Sequence, residues 1–239
     1  MKKMKKMITK QTKNKKTPKT PTFNTKNFQQ IIKTKQKKTK IIAVTKNFSI
    51  KAVDLAIKNN IKIIGENKIQ ETTLKFEKYK KRKKIELHLI GHLQTNKTKK
   101  AVKLYDVIET ADTPKVIFKI NKEAEKIQKK QKIYFQINIG RDPKKQGFLE
   151  EEIEDVCKQI KTLKNIKIKG IMTILQQKTT EKEKKRLYLK TKKIQQKIQQ
   201  KHFTTCTDLS MGMSGDYKIA SNCGATHVRI GTLLYGKRL

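Results

Sequence analysis

The chain has 239 residues, with 60 Lys and Arg against 20 Asp and Glu, a formal charge of +40. That length suits one large domain, and no run approaches the roughly 18 apolar residues of a membrane span. A charge this high normally points to nucleic acid, but 55 of the basic residues are Lys, only 5 are Arg, and there is no Trp. A nucleic-acid site leans on Arg and aromatic side chains, so the charge reads as compositional drift across the surface, and no specific nucleic-acid partner is expected.

The three cysteines, Cys157, Cys206 and Cys223, are far apart and form no CxxC pair. This disfavours a disulfide framework or a metal site and fits a reducing cytoplasm. Residues 1–22, "MKKMKKMITKQTKNKKTPKTPT", lack the apolar core of a secretory signal and the Arg and Ser of a transit peptide. They are expected to be a disordered basic tail, with one domain over 23–239.

Past the tail, a helix is expected at about Asn24 to Lys37. Short β-rich runs then follow at 41–45, 61–66, 86–91, 106–110, 132–139, 166–174, 207–211 and 226–231. Between them, amphipathic helices are expected at Ile50 to Asn59, Lys68 to Lys81, Thr95 to Leu104, Pro114 to Lys130, Leu149 to Leu163 and Glu181 to Lys201. Pro114 behind Asp112 and Thr113 is helix-start chemistry. Eight strands alternating with helices, most apolar on both faces, predict an α/β fold with a parallel sheet, closed as a (β/α)8 TIM barrel. An open doubly wound sheet is the alternative.

In such barrels the chemistry gathers at the C-terminal strand ends. The first strand, "IIAVTK", is read as ending at Lys46. The second ends in "GEN", which includes Asn67. The seventh ends in "SMGMSGD", where Ser214 is a candidate N-cap, and the eighth in "RIGT". Two glycine-bearing turns after strands seven and eight suit a phosphate. A lysine facing them, partly desolvated and near other cations, has the environment of a nucleophilic amine. An aldehyde cofactor with its own phosphate, pyridoxal 5'-phosphate (PLP), meets both groups. Arg229, inside the apolar strand "HVRIG", would be costly unpaired and is read as a fixed donor beside the ligand.

The segments "AVTK", "GEN", "LHLIGHLQTNK", "QINIG", "KKQGF", "KGIMTI", "LSMGMSGD" and "THVRIGTLLYG", in order from 41 to 236, closely resemble the PLP homeostasis proteins, single-domain barrels related to the N-terminal part of alanine racemase. The resemblance implies a Schiff base between PLP and Lys46 and places Asn67 near the ring. It implies that Ser210, Gly212, Gly231 and Thr232 hold the phosphate, that Met211 and Met213 line the pocket, and that Arg229 faces the pyridine nitrogen. An arginine there keeps that nitrogen unprotonated, which weakens the ring as an electron sink. Lys218 departs from the acidic residue usual in the family.

Three functions are weighed: a reversible PLP carrier affecting amino and keto acid balance, a PLP-dependent amino-acid racemase, and a basic polyanion-binding protein. Two-base racemization needs a second acid/base group, which related racemases take from a tyrosine of a further β-rich domain. No such domain is expected here, and Tyr217 and Tyr235 read as packing residues. The carrier is preferred, as a monomer rather than a dimer, with PLP-dependent apoenzymes as receiving partners and no established turnover.

Overall fold

The computed structural model describes residues 20–236. Most of the expected basic tail therefore lies outside the described residues; of Thr20, Pro21 and Thr22, Pro21 is buried. The chain opens with helix α1 (Thr25–Thr34), whose N-cap Asn24 accepts from Asn27 N at 2.9 Å. Eight parallel strands follow and close on themselves in chain order: β1 (Lys40–Val44), β2 (Ile63–Glu66), β3 (Glu86–Leu89), β4 (Val107–Ala111), β5 (Gln131–Gln136), β6 (Ile166–Met172), β7 (Asp208–Met213) and β8 (His227–Ile230). Closure comes from β1 pairing with β8, Ile42 opposite Arg229 and Ala43 opposite Ile230, and it excludes the open sheet.

The connecting helices are α2 (Lys51–Lys58), α3 (Ile69–Phe76), α4 (Thr98–Leu104), α5 (Pro114–Glu125), α6 (Ile153–Ile160), α7 (Glu181–Lys201), α8 (Tyr217–Asn222) and α9 (Thr232–Tyr235). Thr113 caps α5, its hydroxyl accepting from Val116 N at 3.3 Å, with Pro114 in the first turn. Thr180 does the same for α7, accepting from Glu183 N at 3.3 Å, and Glu181 and Glu183 place negative charge at its positive end. The expected helices at 68–81 and 149–163 are shorter than their patterns suggest: the first ends at Phe76, and in the second a 3-10 turn at Glu150–Glu152 takes over the start before the α-helix runs from Ile153 to Ile160. Among the described residues, no helix is long and apolar enough to cross a membrane.

Pleat alternation sorts the strand residues into two layers. Ile41, Ala43, Ile64, Leu87, Leu89, Ile108, Phe135, Leu209, Met211 and Val228 point outward into one continuous apolar core under the helices. Ile42, His88, Val107, Glu109, Tyr134, Met172, Ser210, His227 and Arg229 fall on the other face and fill the lumen, all of them buried. An eight-stranded barrel is just wide enough for side chains to fill it. Here much of that filling is polar.

Candidate functional site

The expected strand end at Lys46 shifts. β1 stops at Val44, although Thr45 N still donates to Gly65 O at 3.1 Å. Asn47 has φ 65, a left-handed conformation that cannot continue a strand, so Lys46 sits in the turn just past β1. It extends the lumen-side parity of Ile42 and Val44 and is half-buried.

Both neighbours of Lys46 are fastened from β2 and α3. The Thr45 hydroxyl donates to Glu66 Oε1 at 2.5 Å, and Lys75 Nζ donates to the Thr45 carbonyl at 2.8 Å and to Glu66 at 2.6 Å. On the other side, Asn47 N donates to Glu71 Oε1 at 2.7 Å. The side chains of Glu66 and Lys75 are 0% and 6% exposed, so this is a buried ion pair directly behind the lysine. Burial pushes Glu66 up, against the pull of Lys75.

Asn67 follows at the end of β2. Its side-chain Oδ1 is buried without a partner. Gly91, past β3, lies so close that a Cβ there would come within 2.3 Å of the Asn67 carbonyl, so only glycine lets these two strand ends meet. At the rim nearby, His92 Nδ1 is hydrogen-bonded to Asp112 Oδ2 at 2.9 Å.

On the opposite side of the mouth, β7 is irregular between Ser210 and Met213. Gly212 has φ 89, and a Cβ on it would stand 2.5 Å from that of Ala220. The expected N-cap role of Ser214 does not hold: α8 begins at Tyr217 behind Asp216. Asp216 ties the turn instead, Oδ1 accepting from Met213 N at 2.6 Å and Oδ2 from Tyr188 at 2.8 Å. Ser214 Oγ accepts from Leu233 N at 3.4 Å, joining this turn to α9. Among the described residues, the N–H groups of Ser214, Gly215 and Thr232 meet no protein acceptor, and a Cβ on Gly215 would face open space. Gly231 is buried, whereas Thr232 is exposed.

Ser210 and Met211 divide between the layers. Ser210 points into the lumen, where its hydroxyl donates to Glu109 Oε2 at 2.6 Å and accepts from Arg229 Nη1 at 2.7 Å. Met211 points the other way, into the core under the helices, while Met213 is half-buried near the mouth. Arg229 also donates from Nη2 to the Thr173 carbonyl at 2.7 Å. It is therefore paired within the protein, and those two contacts leave further guanidinium donors available.

The sequence reading passed over Glu66, Lys75, His88, Glu109 and Thr173. Glu109 and His88 carry the same mark as Arg229, a polar side chain inside an apolar strand. Burial alone pushes His88 down, but Glu109 and Glu86 outweigh it and hold the imidazole at about 9. Burial and the nearby His88 push His227 down to about 4.

Two cavities flank the mouth. One of about 290 Å³ lies beside Gly91, His92, Asn138, Lys144 and Lys145, and one of about 340 Å³ lies between Ser214, Gly215 and α1. Lys46, Asn67 and Arg229 line neither. All six tyrosine hydroxyls are engaged: Tyr79 on Asp54, Tyr105 on Thr72, Tyr134 on Asp208, Tyr188 on Asp216, Tyr217 with Thr34 and Tyr235 on the Ala52 carbonyl. Tyr217 and Tyr235 are buried, which fits packing.

The family model for the alanine racemase N-terminal domain matches residues 23–238. A pyridoxal phosphate homeostasis protein of Synechocystis is 35% identical over 217 residues, 91% of this chain and 100% of the relative. The chain belongs to the pyridoxal phosphate homeostasis family.

Another member, from Aquifex aeolicus, is 34% identical over 178 residues, 74% of this chain and 78% of its own. Among solved structures, PipY of Synechococcus elongatus superposes with TM-score 0.84 without PLP and 0.82 with PLP bound, at 29% and 28% identity, covering 88% of this chain and 99% of PipY. An alanine racemase of Clostridium difficile shares the fold, with TM-score 0.75 at 16% identity, and this chain spans 60% of its length. The Synechocystis relative is thus covered over its full length, whereas the racemase is covered over 60% of its length and is similar in fold.

Proposed function

We propose that this protein holds PLP reversibly in the barrel mouth and buffers its supply, with Lys46 as the attachment point. The observation that carries the reading is the placement of Lys46: on the lumen side of the β1 turn, with both neighbours fastened by Lys75 and Glu71. Homology supports it, since a Synechocystis relative matched along its whole length carries the homeostasis name and PipY has a PLP-bound structure.

The residues present fit this cofactor. The unpartnered buried Oδ1 of Asn67 suits a polar substituent on a ring, and the unpaired N–H groups of Ser214, Gly215 and Thr232 suit a phosphate. When bound, PLP supplies an aldehyde that condenses with an amine, and we assign that amine to Lys46.

The protein's part is to bind and orient. The glycine turn at Gly212 and the start of α9 at Gly231 and Thr232 present main-chain donors to the phosphate. Met213 flanks the pocket at the half-buried end of β7. Ser210, its hydroxyl spent on Glu109 and Arg229, contributes from inside the lumen, and Met211 supports β7 from the core side. Arg229 faces the ring nitrogen.

A holding role is favoured over racemization because no tyrosine is left to act as a second proton carrier opposite Lys46. In this reading PLP-dependent apoenzymes receive the cofactor in the cytoplasm, consistent with three buried free cysteines. A monomer is part of this reading; among the described residues the exposed large apolar side chains, Ile32, Leu74, Phe118, Ile127 and Leu189, come from different segments of the chain.

The test is borohydride treatment of PLP-loaded protein followed by peptide mass spectrometry. The added mass is expected on Lys46 and absent from Lys46→Ala. A protein that takes up no PLP, or takes it up covalently on another lysine, contradicts the assignment.

A further inference from the structure

The lumen below the mouth is crossed by a chain of alternating charges. Glu109 on β4, fully buried, is hydrogen-bonded through Oε1 to His88 Nδ1 on β3 at 2.6 Å and through Oε2 to the Ser210 hydroxyl on β7 at 2.6 Å. Ser210 accepts from Arg229 Nη1 at 2.7 Å, and Arg229 Nη2 reaches the Thr173 carbonyl past β6 at 2.7 Å.

Apolar side chains of similar volume would fill a lumen at least as stably as buried ions, so what this chain adds is direction. A serine hydroxyl has one proton. A carboxylate can only accept, so Glu109 accepts the hydroxyl's hydrogen bond and turns the Ser210 lone pairs toward Arg229. The guanidinium is then held at both Nη nitrogens, and its plane is fixed.

We propose that Glu109, acting through the Ser210 hydroxyl, is a positioning residue that sets the plane of the Arg229 guanidinium and thereby the seat of the cofactor ring in the barrel mouth. This rests on the reading that Arg229 meets the ring. A glutamine at 109 could donate its amide to Ser210, turn the hydroxyl proton toward Arg229 and break the relay without changing its shape.

The experiment compares Ser210→Ala, Glu109→Gln and Arg229→Gln loaded with PLP. It follows the visible absorbance band of the bound cofactor, its dissociation rate, and competition by inorganic phosphate. Ser210→Ala and Glu109→Gln are expected to move the band in the same direction as Arg229→Gln and to speed dissociation by about tenfold, the scale of one lost charge-assisted hydrogen bond. Inorganic phosphate is expected to compete equally with wild type and Ser210→Ala.

A wild-type band in Ser210→Ala alongside an altered one in Arg229→Gln overturns the positioning role and leaves the Arg229 reading standing. A wild-type band in Arg229→Gln overturns that reading and the proposal with it. Weaker phosphate competition in Ser210→Ala makes Ser210 a phosphate contact and also overturns the proposal. Ser210→Ala removes one oxygen and keeps the Glu109–His88 pair, so it decides the matter even where Glu109→Gln fails to fold.

Discussion

Lys75 Nζ donates to the main-chain carbonyl of Thr45 at 2.8 Å, so a lysine on a covering helix fixes the residue immediately before Lys46. The same ammonium neutralises Glu66, whose side chain is wholly buried. Lys75→Met removes the donor and strands that carboxylate. The expected loss is about 3 kcal/mol of stability in urea unfolding, the scale of breaking a buried pair from one side. Cofactor capture, followed by borohydride trapping, should slow by about tenfold or more through misplacement of the turn. Adding Glu66→Gln to Lys75→Met should recover part of the stability, because a neutral amide is cheaper to bury alone.

The two lumen histidines predict a stability maximum. His88 is held up at about 9 against an ordinary value near 6.5. Its contribution is complete below about 6.5 and is lost as pH rises toward 9. His227 is held down at about 4, so its contribution is complete above about 6.5 and is lost as pH falls toward 4. Unfolding free energy should therefore peak near pH 6.5, with each wing worth up to about 3 kcal/mol by linkage. Urea melts across pH 4.5–8.5 check this: His227→Gln should flatten the acid wing and His88→Gln the alkaline one.

Gly212→Ala should be costly. The backbone there has φ 89, and the new methyl would stand 2.5 Å from the Ala220 Cβ. Strain and overpacking together predict a loss of about 2–4 kcal/mol and weaker PLP uptake from disturbance of the turn. Thermal melts and a PLP titration measure both. A fully stable variant would contradict the geometry of β7.

Burial pushes the thiols of Cys157 and Cys206 up to about 12, and Cys223 is raised as well. None should react with a thiol-specific chromogenic reagent at pH 8 in the folded protein. All three should react in denaturant.

The barrel was legible in the sequence because each strand is a short apolar run of the parallel-sheet kind and several helices announce their starts, as Thr113 and Pro114 do. Lys46 and the glycine turns drew notice beside the ends of strand-like runs, and Arg229 as a charge inside one. Strand limits were less so. Asn47 ends β1 early through its left-handed backbone, which the run "IIAVTKN" does not advertise. Ser214 looks like a cap because it precedes a helix, yet Asp216, able to accept from both Met213 and Tyr188, takes control of the turn.

The fastening of Lys46 was hidden for a different reason. Lys75 and Glu71 belong to a helix whose charges read as ordinary surface, and only the approach of α3 to the β1 turn gives them work. Glu109 and His88 stood in plain view inside "DVIET" and "ELHLIG". Reading them by the criterion applied to Arg229, a polar residue in an apolar strand, would have found the lumen network.

The rings of His88, Tyr134 and His227 stand 6.2 to 6.4 Å apart across the lumen beneath Arg229, all three residues buried. They stopper the barrel, making it a cup and not a tunnel. Whatever enters past Lys46 must leave by the same rim, so loading and unloading share one doorway. On the carrier reading proposed above, a recipient would have to wait at the lip for spontaneous escape or press against that lip itself, because the buried rings close the way from below.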